Sequence, residues 1–201
     1  MGIWQSLLIA VVGAALGIVG RWLIGIWERA ILLRKLKNAM LNRERVSLNE
    51  EFLMTRLLAQ KIRKDKFSPD VIFGICPGGA MIAEWLSRRF LGSWDKPAPM
   101  QVLYMVPEHD DDGAINMKVD EEWTAISPGM SKDAKVLVVN DITRTGDTLK
   151  VACNFLANHF DRKNIQSAVL VRDVQDKKNP TYHVAMTAKA VQFDWKTYSA
   201  D

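Results

Sequence analysis

The sequence has little of what a disulfide framework or a zinc site requires. It contains two cysteines, Cys76 and Cys153, and they form neither a Cys-x-x-Cys pair nor a cluster with histidine. We therefore expect reduced thiols, as in a cytosolic protein. Internal repeats and low-complexity tracts are absent as well, so a chain of 201 residues has room for one α/β domain and an appendage.

Charge is absent from a long N-terminal run. Residues 3–20 contain no charged side chain, and as a helix this run would span about 27 Å, close to the roughly 30 Å hydrocarbon core of a bilayer. No basic residue precedes the run, whereas Arg21, Arg29 and Arg34 are the first of several that follow it. This asymmetry indicates a cytoplasmic C-terminal part. We therefore predict that residues 1–27 form a single-pass anchor in an inner or plasma membrane, with the lipid bilayer as a partner.

Two features of this anchor leave alternatives open. Gly13 and Gly17 form a GxxxG pattern, which lets a second helix approach closely and predicts a homo-oligomer. Glycine is, however, also common in membrane helices in general. A cleavable signal peptide is the second alternative, but the run lacks the basic residues that precede such a segment and the small-residue cleavage site that follows it.

The positive charge of the chain is concentrated next to the anchor. Residues 28–66 contain 11 Lys and Arg against 5 Asp and Glu, whereas residues 67–201 contain 15 against 18. Apolar residues recur at helical spacing among the basic ones, so we predict a basic amphipathic helical linker over residues 28–66. Anionic lipid headgroups are the expected partner of this charge. Nucleic acid is disfavoured, because no aromatic interleaving or recognisable binding motif accompanies the basic residues.

Apolar runs alternate with helical patterns beyond residue 66. Continuous apolar strands are predicted at residues 71–75, 100–106, 136–139 and 167–172, and helices are predicted at residues 80–91 and near 148–160. Such an alternation is typical of a mostly parallel sheet that is covered on both faces. The sequence therefore predicts an α/β domain over residues 67–201, with a twisted, mostly parallel sheet flanked by helices.

A turn rich in threonine and glycine follows the strand at residues 136–139. Asn140 and Asp141 end the apolar run, and residues 143–148 lead into the next helix. In an open parallel sheet, ligands bind at the carboxyl ends of the strands, and a helix N-terminus offers N–H groups and a favourable dipole to an anion. Gly146 allows the backbone to approach closely, and the threonine hydroxyls can donate to phosphate oxygens. These residues predict a phosphate-binding loop.

Three stretches of the sequence resemble the type I phosphoribosyltransferases. Residues 136–149 are similar to the family's signature for phosphoribosyl pyrophosphate, which has an apolar strand, two adjacent acids and a Thr-Gly-x-Thr loop. Residues 75–80 resemble the loop whose paired glycines hold the leaving pyrophosphate. The end of the chain, from residue 182 onward, resembles the tail over the base site in the xanthine-guanine and hypoxanthine phosphoribosyltransferases. The resemblance covers residues 67–198 and implies the fold of that family.

The resemblance also implies a role for each matching residue. Asp141 and Asn140 would contact the ribose hydroxyls as catalytic residues, and Asp141 would also contact the Mg²⁺ that accompanies phosphoribosyl pyrophosphate. The residues that would hold the 5′-phosphate are Thr143, Arg144, Thr145, Gly146, Asp147 and Thr148. Those that would hold the pyrophosphate are Cys76, Pro77, Gly78 and Gly79. Arg172 and Val191 would lie at the base.

The sequence departs from the family at positions that handle the base and the pyrophosphate. Asn140 replaces the first of the two acids, and Pro77 replaces a basic residue of the pyrophosphate loop. Arg144 stands where 6-oxopurine enzymes carry the Asp that handles the purine proton. An arginine stays protonated at any working pH, so it cannot serve as that base. Ala190 occupies the position expected for the aromatic that stacks on the base.

Two functions are consistent with this pattern. One is a membrane-anchored phosphoribosyltransferase that uses Mg²⁺-bound phosphoribosyl pyrophosphate and a nucleobase. The other is a catalytically degenerate sensor that binds phosphoribosyl pyrophosphate or a nucleoside monophosphate and signals to its membrane helix, for example in bacterial stress or phage defence. The intact Thr-Gly-x-Thr loop supports both functions, and the altered base-site residues favour the sensor.

Overall fold

The computed structural model of the protein describes residues 45–91, 97–109, 115–122, 124, 126–176, 179–189 and 191–193. Within these residues no helix is both long and apolar enough to cross a bilayer. The predicted anchor over residues 1–27, its GxxxG pattern and the first part of the predicted linker lie outside them. The described residues all belong to one unit, Arg43–Asp201.

Strands and helices alternate along this unit. The strands are β1 (Arg45–Val46), β2 (Val71–Ile75), β3 (Met100–Leu103), β4 (Met105–His109), β5 (Ile115–Val119), β6 (Val136–Thr143), β7 (Ile165–Asp173), β8 (Tyr182–Thr187) and β9 (Gln192–Phe193). The α-helices are α1 (Leu48–Lys64), α2 (Gly78–Trp85) and α3 (Asp147–Leu156). A π-helical segment, Leu86–Leu91, continues α2, and a short 3₁₀ helix, Arg162–Asn164, precedes β7.

Five of the strands form a parallel sheet in the order β3-β2-β6-β7-β8. All five residues of β2 and the first four of β6 are buried, which is the burial expected of strands with continuous apolar runs. The prediction of a mostly parallel α/β sheet is therefore confirmed. The predicted strand at residues 100–106 is two strands, because β4 leaves the sheet and pairs with β5 in an antiparallel hairpin.

Helix α1 packs against the domain, although the sequence analysis assigned it to the linker. A capping box begins the helix: Ser47 Oγ accepts from the Glu50 N–H at 3.4 Å, and Glu50 Oε2 accepts from the Ser47 N–H at 2.9 Å. Met54 and Leu58 are fully buried, and the helix contacts β7 and β8. Helical periodicity predicts an apolar face but not what covers it, so the sequence could not show that the sheet does. The structure begins the folded domain before α1.

Two glycines bring α2 close to the sheet. A Cβ atom at Gly79 would lie 2.2 Å from the carbonyl oxygen of Val139, and one at Gly74 would lie 2.6 Å from the Cα of Ala80. Real Cβ atoms essentially never approach other atoms so closely, so glycine is required at both positions for this packing. The first turn of α2 therefore lies directly against the end of β6.

Helix α3 covers the opposite face of the sheet. Its buried side chains Leu149, Ala152 and Leu156 share one apolar core with Val136 and Val138 of β6. Successive side chains of a strand point to opposite faces, and Val139 of β6 contacts α2 on the other side. Helices thus enclose the carboxyl end of β6 from both faces, which is where the polar loop begins.

The first and last described strands pair with each other. Arg45 of β1 aligns with Gln192 of β9, and Val46 aligns with Phe193, in parallel. Val46 and Phe193 are both buried. This pairing holds the end of the described chain against the segment that leads into α1.

Candidate functional site

A cavity of about 300 Å³ lies at the carboxyl end of β6. It is lined by every residue from Asn140 to Thr148 and by Val191. All six residues predicted to hold the 5′-phosphate therefore face one space, together with Asn140, Asp141 and Val191. The predicted phosphate and ribose residues are consecutive in the sequence, whereas Val191 follows Thr148 by 43 positions and reaches the same cavity through the fold.

Glycine allows the loop to turn into α3. Gly146, the residue before the helix, has φ of 80°, in the left-handed region that favours glycine. The first intrahelical bond runs from the Lys150 N–H to the Gly146 carbonyl at 2.9 Å, so the N–H groups of residues 147–149 precede it. The Asp147 N–H donates to Thr145 Oγ1 at 3.4 Å. The helix N-terminus therefore presents backbone donors beside the cavity, as an anion site requires.

Asn140 and Asp141 both bind the backbone of Ile142. The side-chain amide of Asn140 donates to the Ile142 carbonyl at 3.1 Å, and Asp141 Oδ1 accepts from the Ile142 N–H at 2.7 Å. Asp141 is 4 % exposed, whereas Asn140 is half-buried. These bonds fix the peptide that leads into the phosphate loop, and the amide of Asn140 stands where the family pattern has the first of its two acids.

Thr143 binds a residue that the sequence analysis did not identify. Its hydroxyl donates to Asp176 Oδ2 at 3.0 Å, and both side chains are buried. The Asp176 carbonyl in turn accepts from Arg172 Nη2 at 2.6 Å. The Thr143 donor hydrogen is thus directed to a carboxylate, whereas the sequence analysis assigned it to phosphate. No local pattern marks Asp176, because it is 33 positions away from its partner.

Arg172 lies beside the loop but does not line the described cavity. It is the register partner of Thr143 across β6 and β7, and its guanidinium reaches the Asp176 carbonyl. Burial lowers the pKa of the His183 imidazole, and the positive charges of Lys61 and Arg172 lower it further. The cation predicted to face a base is therefore bonded to the turn that follows its own strand.

The predicted pyrophosphate loop occupies the end of the neighbouring strand β2. The Cys76 N–H donates to the Leu103 carbonyl at 2.9 Å, and the Cys76–Pro77 peptide is cis. Gly78 and Gly79 are buried and form the first turn of α2. None of these four residues is among those that line the 300 Å³ cavity. Burial raises the pKa of the Cys76 thiol, which favours its neutral form.

Asp141 is the buried acid that could contact Mg²⁺ at this cavity. Mg²⁺ is usually held by one or two carboxylates together with substrate phosphates, and one carboxylate beside a phosphate loop suits that pattern. Among the described residues no three acids, histidines or cysteines are grouped as metal ligands. The residues present therefore fit an ion whose remaining ligands come with a pyrophosphate.

Fold and loop together define a phosphoribosyltransferase domain. The family model described as "Phosphoribosyl transferase domain" matches residues 47–201, so the chain belongs to this family. The match begins at the cap of α1, in agreement with the packing of that helix against the sheet.

Individual proteins support the same class. The chain is 27% identical over 139 residues to the bifunctional protein PyrR of Bacillus velezensis, covering 65% of this chain and 75% of that protein. The xanthine-guanine-hypoxanthine phosphoribosyltransferase of Helicobacter pylori has a TM-score of 0.60 at 16% identity, covering 79% of this chain and 99% of that one. A hypothetical protein from Neisseria gonorrhoeae with bound ppGpp has a TM-score of 0.61 at 21% identity, covering 76% and 89%. The last two likenesses show a shared fold.

Proposed function

We propose that the cavity at the end of β6 binds phosphoribosyl pyrophosphate or a nucleotide, with the phosphate on the loop from Thr143 to Thr148. The observation that carries the proposal is the lining of the cavity, which consists of this loop, the two residues before it and Val191. Backbone N–H groups at the start of α3 supply donors. Asp141 and Asn140, which precede the loop and line the same cavity, would contact the ribose.

The residues toward the base favour a sensor over a transferase. In phosphoribosyl transfer the bond from ribose C1 to pyrophosphate breaks, C1 bonds to a base nitrogen, and that nitrogen loses its proton. Arg144 is exposed and lines the cavity, but a guanidinium that stays protonated cannot take up this proton. Its charge suits additional phosphate instead. The Neisseria protein of the same fold was solved with ppGpp, and a phosphate-rich nucleotide is the ligand class that this arginine favours.

Bound Mg²⁺ would neutralise charge on a pyrophosphate group. Asp141 would hold the ion, and the Ile142 N–H keeps this carboxylate in place. Both a sensor and a transferase could bind Mg²⁺ in this way. The transferase therefore remains the second candidate, since the phosphate loop that it requires is intact.

Pyrophosphate release separates the two candidates. We expect slow or absent release when phosphoribosyl pyrophosphate is mixed with hypoxanthine, guanine, xanthine or adenine, together with measurable binding of a phosphorylated ligand. The affinity should fall as salt rises, because exposed charge contacts are screened. Rapid, base-dependent release would establish the transferase.

Charge reversal at Arg144 tests the contact itself. The substitution Arg144→Asp should weaken binding of phosphoribosyl pyrophosphate by about 1.5–3 kcal/mol, the range for a hydrogen bond to a charged group. Calorimetric titration provides the measurement. Arg56→Asp is the matched control, since Arg56 is exposed on α1 and its reversal changes the net charge equally. Equal losses in both variants would mean that Arg144 acts only through the overall charge.

We further propose that residues 1–27 anchor the domain to an inner or plasma membrane with the domain on the cytoplasmic side. The uncharged run at residues 3–20 and its basic C-terminal flank support this proposal. Deletion of residues 1–27 should move the protein from the membrane fraction to the soluble fraction. The paired substitutions Gly13→Leu and Gly17→Leu are the control, because they keep the apolar length and should abolish only self-association. A full-length chain that is soluble and monomeric without detergent would contradict the anchor.

A further inference from the structure

We infer that Asp176 and Arg172 are positioning residues that set the phosphate loop through Thr143. This inference rests on the proposed function of the loop, and it assigns Arg172 a role different from the base contact that the sequence predicts. The carrying observation is a chain of two hydrogen bonds: Arg172 Nη2 to the Asp176 carbonyl at 2.6 Å, and Thr143 Oγ1 to Asp176 Oδ2 at 3.0 Å.

The hydrogen bond between Thr143 and Asp176 is buried, which increases its contribution to holding the loop. Asp176 is 2 % exposed and Thr143 is 4 % exposed, so water has little access to either side chain. A buried carboxylate needs hydrogen-bond donors, and a bond to a charged group is stronger than one between neutral groups. Thr143 is the last residue of β6, directly before Arg144. A carboxylate that holds Thr143 therefore fixes the point from which the loop leaves the sheet.

Arg172 fixes Asp176 from the other side. Thr143 and Arg172 are paired residues on the neighbouring strands β6 and β7. The two side chains that bind Asp176 therefore start from adjacent positions in the sheet. The intervening turn is also anchored, because the Asp176 N–H donates to the Asp173 carbonyl at 3.1 Å and the Val174 N–H donates to the Thr187 carbonyl at 2.9 Å. Arg172 on the sheet thus holds Asp176, and Asp176 holds the start of the loop through Thr143.

Phosphoribosyl pyrophosphate separates this role from a base contact, because the molecule has no base. If Arg172 positions the loop, Arg172→Met should weaken its binding; if Arg172 only meets a base, the affinity should not change. We expect Arg172→Met, Asp176→Ala and Thr143→Val each to lower the affinity by roughly tenfold, the loss of one hydrogen bond to a charged group. Asp176→Asn keeps an acceptor for Thr143 and should retain affinity within about threefold.

A double-substitution cycle tests whether the residues act as one unit. Thr143→Val combined with Asp176→Ala should be no weaker than Asp176→Ala alone, since both remove the same bond. Asp173→Ala is the matched control, because it removes an acid from the same turn. The Asp173 carboxylate accepts from the Gln175 N–H and is not bonded to Thr143. The inference would be overturned if the affinity losses of the two single variants multiplied in the double variant. It would also be overturned if Asp176→Asn bound the ligand as weakly as Asp176→Ala.

Hydrogen exchange of the full-length protein without ligand gives a readout that does not depend on the proposed function. Amides of residues 143–148 should exchange about tenfold faster in Asp176→Ala and in Thr143→Val, whereas Asp173→Ala should match the wild type. Unchanged loop exchange would overturn the inference even if affinity falls. If the wild type binds no phosphorylated ligand, the proposed function fails, and loop exchange still decides whether Asp176 positions the loop. If Asp176→Ala does not fold, Thr143→Val carries the same test, with Thr143→Ser as the variant that keeps the donor.

Discussion

The substitution Gly146→Val should lower the affinity for phosphoribosyl pyrophosphate by about a hundredfold or more, which corresponds to losing two hydrogen bonds to a charged group. Gly146 has φ of 80°, and a β-branched residue does not adopt this region without strain. The loop would have to shift, and the N–H groups at the start of α3 would move with it. Calorimetry with the full-length protein measures the loss.

Gly129 provides the matched control for backbone strain. It has φ of 83°, and a Cβ there meets no atom of the described structure within 4 Å. Gly129→Val should therefore cost the fold about 1–2 kcal/mol, the usual penalty for a left-handed residue, while leaving ligand affinity unchanged. Undiminished affinity in Gly146→Val would remove the loop from the proposed site.

The substitution Gly79→Ala should destabilise the domain by about 1–3 kcal/mol, the range for overpacking a well-packed interior. The new Cβ would lie 2.2 Å from the Val139 carbonyl oxygen and 2.9 Å from the Cα of Asn140. Both atoms belong to the backbone of β6, so neither can rotate away, and α2 would have to move off the sheet. Urea denaturation followed by circular dichroism measures the change in the free energy of unfolding.

The same variant separates packing from ligand binding. Glu84→Ala is the control on α2; its partly exposed side chain pairs with Arg88 four residues on, and surface pairs of this kind contribute little. If Gly79 were needed only to leave room for pyrophosphate, Gly79→Ala would unfold at the wild-type urea concentration and lose only affinity. A normal midpoint would therefore contradict the packing role.

Local sequence patterns predicted the centre of the domain well. The apolar run at residues 71–75 is β2 without any shift. The strand predicted at residues 136–139 runs on to Thr143, and the helix predicted near residues 148–160 is α3, Asp147–Leu156. Each of these features depends on neighbours in the chain: burial on both faces demands a continuous apolar run, and a left-handed turn demands glycine. The parallel sheet follows from their alternation.

The features that the sequence did not reveal depend on distant contacts. Asp176 is bonded to Thr143, 33 positions away, and Gly79 packs against the backbone of Val139 and Asn140, about 60 positions away. The helical spacing of apolar residues in the sequence predicted the apolar face of α1, but it did not predict that the sheet covers this face. The roles of the individual site residues stay predictions.

The pairing of β1 with β9 connects Arg45 and Val46 to a wall of the proposed ligand cavity. Val191, which lines the cavity, is followed at once by β9, and β9 is held by the two residues that precede the cap of α1. Coupling between two equilibria is reciprocal. A ligand that needs the Val191 wall in place must therefore also favour the docked state of Arg45 and Val46. Separation of β1 from β9 would, by the same linkage, weaken the binding of a ligand that contacts Val191.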